Sequence, residues 1–437
     1  MLFAGAAERV ITPDFPALLC GYPEPKDRYH DSVHDELKIH AFYLQNGGEE
    51  FLLVGMDLIY YTKKRVKSAR ELTERVTGIP AGHVSITCTH THSGPCPSSV
   101  PFWIRDDDKE MYPHYLDFVD SQIAQAAAEA KRNAFPAEIG VGKGYCGKEQ
   151  GVGGNRRHKD GICDPSVNVI AIREADGGRV RGIIVNYALH PTFLHAESTV
   201  LTCDYPGYIY EYLRQQDSGL VVGFFTGASG NQSSRHFRSG QNFEEAKRVG
   251  YAIAAEAERV VQGLSWQADP HLFARSAEAW PTLKVIKPLP EAQADQRKAQ
   301  KDLDDAIASG MIYGERRTLE CTLIGANRML HYAEVGESAM AAFRRNSPYE
   351  IFELAIGDAR LITVPGEIFV EYGLRLKAES PYPMTIFAAY SNGYGAGYVC
   401  TPEAHAEGGY EAVGSMYTGE AGDIVIDEAV RLLKAGE

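Results

Sequence analysis

The segment Thr89-His90-Thr91-His92-Ser93-Gly94-Pro95 places two imidazoles two residues apart, where a β-branched run gives way to turn residues. That pairing suits metal binding or acid–base chemistry, because a neutral imidazole offers a nitrogen lone pair and titrates near neutral pH. The run before it, Val84-Ser85-Ile86-Thr87-Cys88-Thr89, reads as a strand. Side chains alternate along a strand, so His90 and His92 are expected on one face, with Ser93-Gly94-Pro95 opening a loop beyond them. Three other segments also put a ligand-type side chain at or soon after a predicted strand end: Asn186-Tyr187-Ala188-Leu189-His190-Pro191, Val364-Pro365-Gly366-Glu367 and Ser391-Asn392-Gly393-Tyr394-Gly395-Ala396-Gly397-Tyr398. A catalytic zinc takes about three nitrogen or oxygen ligands and keeps one position open. His90, His190 and Glu367 satisfy that as a His₂Glu set assembled from distant stretches, unlike a local His-Glu-x-x-His helix. Gly408-Gly409-Tyr410-Glu411 adds a tyrosine and a carboxylate.

The elements that must position these residues read as a mixed α/β architecture. Leu52-Leu53-Val54-Gly55-Met56 and Val84 to Thr87 are predicted strands, with a charged helical pattern from Thr62 to Val76 between them, which makes a strand-helix-strand unit. Tyr115 to Arg132 reads as an Ala-rich helix. Val167 to Ile172 and Arg181 to Ala188 form a predicted strand pair around Asp176-Gly177-Gly178. Val221 to Phe225 is a strand ending in the small polar loop Thr226 to Ser234, and Glu244 to Val261 and Leu289 to Ala308 are helical. Strands return at Ile351 to Ile356, Ala359 to Val364 and Thr385 to Ala389. No repeat or linker divides the chain, so the expectation is one catalytic domain over residues 1–437, with 266–345 as an inserted subdomain.

Composition narrows the function classes. Acidic groups outnumber basic ones by 58 to 44 and no long Lys/Arg run occurs, so phosphate-backbone binding has little electrostatic support and nucleic acid is excluded as the expected partner. No basic leader precedes an apolar run and no stretch approaches the roughly 20 apolar residues of a bilayer span, which gives the expectation of a soluble, cytoplasmic protein. Its eight cysteines lack Cys-x-x-Cys spacing, which argues against a thiolate zinc site. The Gly227 to Ser234 loop lacks both the Gly-x-Ser-x-Gly elbow and a Walker lysine, and is read as structural or substrate-lining. His34-Asp35 and Asp204 are candidates to orient metal ligands through hydrogen bonds.

Taken together, the His90–Pro95 element, the strand closing in His190, Pro365-Gly366-Glu367 and the spacing from Tyr398 to Tyr410-Glu411 resemble the neutral ceramidase family, in the family's motif order over roughly residues 5–425. The resemblance implies a mixed β-sheet catalytic domain with helices flanking it. It implies zinc held by His90, His190, Glu367 and Tyr398, with His92, Arg156 and Tyr410 facing the substrate carbonyl; Arg157 directly follows Arg156 and leaves the choice between them open. The chemistry implied is hydrolysis of an amide or ester by metal-activated water, since zinc lowers the pKa of bound water towards 7. The chain is expected to depart from the family pattern in lacking the C-terminal immunoglobulin-like domain that the family carries. It departs also at Gly230-Asn231-Gln232-Ser233-Ser234, where a Gly-Asp-x-Ser/Thr-Pro element is usual. The substrate is therefore expected to be an acyl compound, either a lipid or a smaller soluble molecule. Two rival readings keep the metal: a lyase or isomerase acting on a polar, sugar-like molecule, and a non-catalytic metal-binding protein.

Overall fold

Strands whose apolar residues run on without alternation must be covered on both faces. Phe51-Leu52-Leu53-Val54 is such a run, and all four residues are buried. In the structure, a computed structural model that describes residues 1–22, 27–98 and 110–435, this run lies inside a large mixed sheet. Its strands are Phe3–Val10 (β1), Lys38–Asn46 (β2), Glu49–Met56 (β3), Val84–Cys88 (β4), Phe135–Tyr145 (β5), Ser166–Glu174 (β6), Val180–Tyr187 (β7) and Val221–Thr226 (β8). They are arranged in the spatial order β8-β7-β6-β5-β1-β2-β3-β4. Helices Lys63–Thr77 (α1), Pro113–Arg132 (α2), Tyr205–Leu213 (α3) and Phe243–Gln262 (α4) cover one face, with α2 on β1 and β2, α4 on β5 and β6, α3 on β8, and α1 against α2.

The other face packs against a second sheet of Leu272–Ala279 (β9), Tyr349–Ile356 (β10), Ala359–Thr363 (β11) and Met384–Ala388 (β12). Phe42, Leu53, Ile184 and Phe225 from the first sheet meet Phe352, Leu354 and Ile386 from the second in a continuous buried layer. Helix Ala421–Lys434 covers β9 and β10, and Val370–Glu379 covers β12, so the order of layers is helix, sheet, sheet, helix. This is the α/β class expected, with a mixed sheet core flanked by helices. Of the 266–345 stretch, Trp266–Gln267 pairs with β5 and β9 pairs with β10, while helices Leu289–Ala308 (α5), Tyr313–Val335 (α6) and Glu337–Asn346 (α7) lie between those two paired strands.

Local signals account for the helix ends. Thr62 caps α1 by accepting the Arg65 N–H, and Gly78, in the left-handed region at φ 77°, stops it.

Within the two large sheets three strand pairs are parallel, and each is joined through a helix: β3 with β4, β7 with β8, and β11 with β12. Parallel pairs open crevices at their carboxyl ends, where ligands are usually bound. His90 follows β4, His190 follows β7 and Glu367 follows β11. The ends of the two sheets are tied by Asn186, whose Nδ2 donates to the carbonyls of Phe225 (2.9 Å) and Phe387 (3.0 Å), and whose Oδ1 accepts from Asn168 Nδ2 (2.8 Å).

Asp204 anchors the chain that follows His190. It is buried in a backbone conformation (φ 63°, ψ −149°) that non-glycine residues rarely adopt, and its carboxyl accepts the N–H of Phe193 (2.9 Å) and of Tyr205 (2.7 Å) at the start of α3. Burial pushes this carboxyl up to about 7, although the backbone N–H groups pull it down. Because the folded value lies above the unfolded one of about 3.9, the native state holds the extra proton between those limits, and stability falls as pH rises through the window. Asp204→Asn cannot titrate. On lowering the pH from 8 to 5, chemical denaturation should therefore show the wild type gaining roughly 2–4 kcal/mol relative to the variant. A difference that stays constant with pH would mean that the carboxyl is ionised throughout.

Candidate metal centre

The strand before the histidine pair ends sooner than the sequence suggests. β4 stops at Cys88, and His90 turns into the left-handed region at φ 65°, so a kink rather than strand alternation brings the two rings together. The turn is held from β3: the Thr89 N–H donates to the Met56 carbonyl and the His90 N–H to the Leu58 carbonyl (3.0 Å). The rings of His90 and His92 stand 5.0 Å apart at 81°.

The candidate ligands His90, His190 and Glu367 are each oriented from the neighbouring strand of their own parallel pair. His90 Nδ1 donates to the carbonyl of Ile59, just beyond β3 (2.7 Å), and His190 Nδ1 donates to the carbonyl of Ser229, just beyond β8 (2.6 Å). Glu367 Oε1 accepts from the hydroxyl of Tyr394, beyond β12. The Tyr390 ring lies 4.1 Å from the His90 ring, and its hydroxyl is 2.8 Å from Ser229 Oγ. With Nδ1 protonated in both imidazoles, each Nε2 presents a lone pair. His190 Nε2 is 3.2 Å and His90 Nε2 3.5 Å from Glu367 Oε2, while His92 Nε2 is 3.3 Å from His90 Nε2.

Acceptors facing one another at this range repel unless a cation sits between them. A proton on His190 is a poor candidate, because burial and the positive charge of Arg156 push this imidazole down to about 4. Ligands about 2.0–2.2 Å from a tetrahedral zinc are about 3.3–3.6 Å from one another, close to the spacing observed. The donor set of two neutral imidazoles and a carboxylate fits zinc in type as well as spacing. The ring nitrogens of His90, His92 and His190 also lie within 4.8 Å of one another, so His92 is nearer to this cluster than its substrate-side assignment implies.

His92 nevertheless differs from its neighbours. His90 and His190 are 2% and 0% exposed and locked at Nδ1, whereas His92, 9% exposed, has a buried Nδ1 without a partner and lines a cavity of about 540 Å³. Its backbone carbonyl accepts from the buried Arg28 (2.8 Å), and its ring sits edge-on to Tyr22. Burial, then the like charges of His90 and His190, pushes its imidazole well below the ordinary value.

Tyr398 pairs with Glu367 through the two-residue strands Glu367–Ile368 and Tyr398–Val399. It lines the same cavity as His92, with the guanidinium of Arg156 5.4 Å from its ring. Burial and the charge of Glu367 push its phenol well above the usual value, against the pull of Arg156. Arg156 and Arg157 separate clearly. Arg156 lines the cavity, with Nε donating to Glu411 (2.7 Å) and a buried Nη2 that lacks a partner. Arg157 turns away to Glu407, Glu411 and the Gly408 carbonyl. Tyr410 faces the cavity, and its hydroxyl oxygen accepts from Arg328 Nη2 (2.9 Å).

Similarity in three dimensions was sought among solved structures. Neutral ceramidase from Pseudomonas aeruginosa superimposes with a TM-score of 0.73 at 19% identity, covering 99% of this chain and 75% of that one. A ceramidase complexed with C2 gives a TM-score of 0.74 at 18% identity with the same coverage. The chain has the neutral ceramidase fold. No family model matches the sequence, and no curated protein matches it. Within this neutral ceramidase fold, no helix among the described residues is long and apolar enough to cross a membrane.

Sequence reasoning missed the partners that orient the candidate ligands. His34 stacks on Phe243 and meets the Tyr208 hydroxyl, Asp35 binds Thr202, and Asp204 holds backbone N–H groups. The orienting role proposed for these three falls instead to the carbonyls of Ile59 and Ser229, which carry no side-chain signal. Tyr394 lies inside a segment singled out for chemistry, and Tyr390 immediately follows a predicted strand, so both were within reach of the strand-end argument.

Gly21 is the tightest contact around His92. It has φ 103°, and a Cβ placed there would stand 2.3 Å from the imidazole. Gly21→Ala should cost about 1–3 kcal/mol by overpacking. The part of that cost that comes from the clash should disappear in a His92→Ala background when the two are compared by thermal or denaturant unfolding, leaving the strain of an alanine held at φ 103°. Strictly additive costs would show that the ring does not bear the clash.

Proposed function

We propose that this protein is a zinc-dependent hydrolase that cleaves the amide, or an ester, of an acyl compound. The observation that carries the reading is the convergence of His90 Nε2, His190 Nε2 and Glu367 Oε2 at 3.2–3.5 Å with both Nδ1 protons committed to carbonyls. The ceramidase fold supports it, because the proteins that share that fold are named for hydrolysis of an N-acyl bond. His90, His190 and Glu367 would hold the ion, with Tyr398 as fourth ligand. When bound, zinc supplies Lewis acidity and a water of lowered pKa.

The remaining steps belong to the chain. His92 is the histidine free to move a proton, since its Nδ1 is not fixed by a carbonyl, and its place on the cavity wall lets it serve the leaving group. Arg156 offers its unpartnered Nη2 to negative charge developing on the substrate carbonyl oxygen. Tyr410 acts beside it. The Tyr410 oxygen already accepts from Arg328, so its hydrogen is left for donation into the cavity. Residues 1–437 act as one catalytic unit in this reading, because the ligands come from four separate stretches and Cys321 and Ile324 of α6 complete the cavity wall. The cytoplasm is the proposed compartment, on the acidic composition and unclustered cysteines.

Purified protein should contain about one zinc per chain by elemental analysis, and His190→Ala should lose both metal and turnover. Full zinc occupancy in a His90→Ala, His190→Ala double variant would sink the assignment. His92→Ala should keep its zinc while turnover falls by about 10²–10⁴-fold; an unchanged rate would remove its proton-transfer role. Product mass separates this reading from a lyase, since hydrolysis adds one water across the broken bond and elimination adds none.

A further inference from the structure

The cavity beside His92 has an unusual charge balance for a protein with a formal charge of −14. Arg156, Arg235, Arg238 and Arg317 line it, and no Asp or Glu does among the described residues. These arginines come from three separate stretches of chain, so the concentration is not a property of one helix face. Arg317 is paired with Glu320 along α6, and Arg238 Nη1 donates to the Thr192 carbonyl (2.9 Å). Arg235 reaches only the Arg156 carbonyl, at 3.4 Å, and no carboxylate among the described residues lies within ion-pair distance of it. Arg156 adds a buried Nη2 that lacks a partner, an independent sign that the wall is built to meet an acceptor. A guanidinium matches the oxygens of a carboxylate or phosphate in two parallel hydrogen bonds, and a cavity lined by one sign of charge concentrates ligands of the other.

Resting on the hydrolase reading above, we propose that the acyl compound cleaved here carries an anionic group, a carboxylate or phosphate, bound by Arg235 and Arg238. An acylated amino acid or an acylated amino-alcohol phosphate has this chemistry; an uncharged amide with two long alkyl chains lacks it. Ile324, Cys321 and Ala196 provide a small apolar patch for an acyl chain on the same wall.

The test compares matched pairs with the zinc-loaded full-length protein: N-dodecanoylglycine against N-dodecanoylglycinamide, and N-dodecanoyl phosphoethanolamine against N-dodecanoylethanolamine. At least one anionic member should be cleaved with kcat/KM at least tenfold above its neutral partner. That ratio should fall towards one in Arg235→Gln and be largely kept in Arg235→Lys. Neutral members cleaved as well as both anionic ones, or a ratio untouched by Arg235→Gln, would overturn the proposal. If none of the four is cleaved, the hydrolase reading fails on its own, and calorimetric binding decides this inference. An anionic member binding at least tenfold tighter than its neutral partner supports it, and equal Kd values refute it.

Discussion

The protons on Nδ1 of His90 and His190 are held by carbonyl oxygens, and the rest of the centre depends on that arrangement. An imidazole carrying its proton on one nitrogen offers a lone pair on the other, and fixing the first nitrogen fixes the direction of the second. The supporting carbonyls belong to Ile59 and Ser229, each beyond the strand that runs parallel to the one delivering the histidine. Tyr394 supports Glu367 from beyond β12 in the same manner. The three candidate ligands are thus aimed by one rule: one strand of a parallel pair delivers the side chain and the other orients it. Left-handed backbone at His90, Tyr390, Asn392 and Asp204 is consistent with this, because conformations that cost about 1–3 kcal/mol each persist only where surrounding contacts fix them.

Much of this was legible in the sequence because strand ends leave a strong signal. Apolar runs closing in His, Glu or Tyr identified the ends of β4, β7, β11 and β12, and with them the residues that the fold brings together. The helix from Lys63 was readable from its charged helical pattern and the one from Phe243 from its Ala/Glu-rich periodicity. The histidine pair shows where such reasoning stops. Alternation along a strand predicts two rings on one face, yet the strand ends two residues before His90 and a left-handed turn does the work. A positive φ at a non-glycine residue is imposed by tertiary hydrogen bonds, here to Met56 and Leu58, and has no local signature. The choice between Arg156 and Arg157 was equally out of reach, because it depends on where Glu407 and Glu411 sit about 250 residues later.

Charge is distributed unevenly over the molecule. An acidic chain encloses a cavity lined by arginines, and the pairs Arg156–Glu411 and Arg328–Tyr410 show how buried cations are kept there without collapsing onto the Glu367 carboxylate. Glu411 occupies Nε of Arg156 and leaves Nη2 unmatched, so the guanidinium is oriented but not saturated. Helix α6 contributes Cys321, Ile324 and Arg317 to the same wall, which makes the helical excursion between β9 and β10 part of the site and not a peripheral ornament.

Asn186 bears on all of this from below. Its single amide touches Phe225 of one sheet and Phe387 of the other while being held by Asn168. His190 follows a strand of the first sheet and Glu367 follows a strand of the second. A carboxamide is thereby the spacer that sets how far apart two halves of the candidate metal site can drift: sliding the sheets by one residue would strand buried donors and acceptors on both sides at once. Neither an aspartate, which has no N–H to give, nor a leucine of similar size provides that gauge.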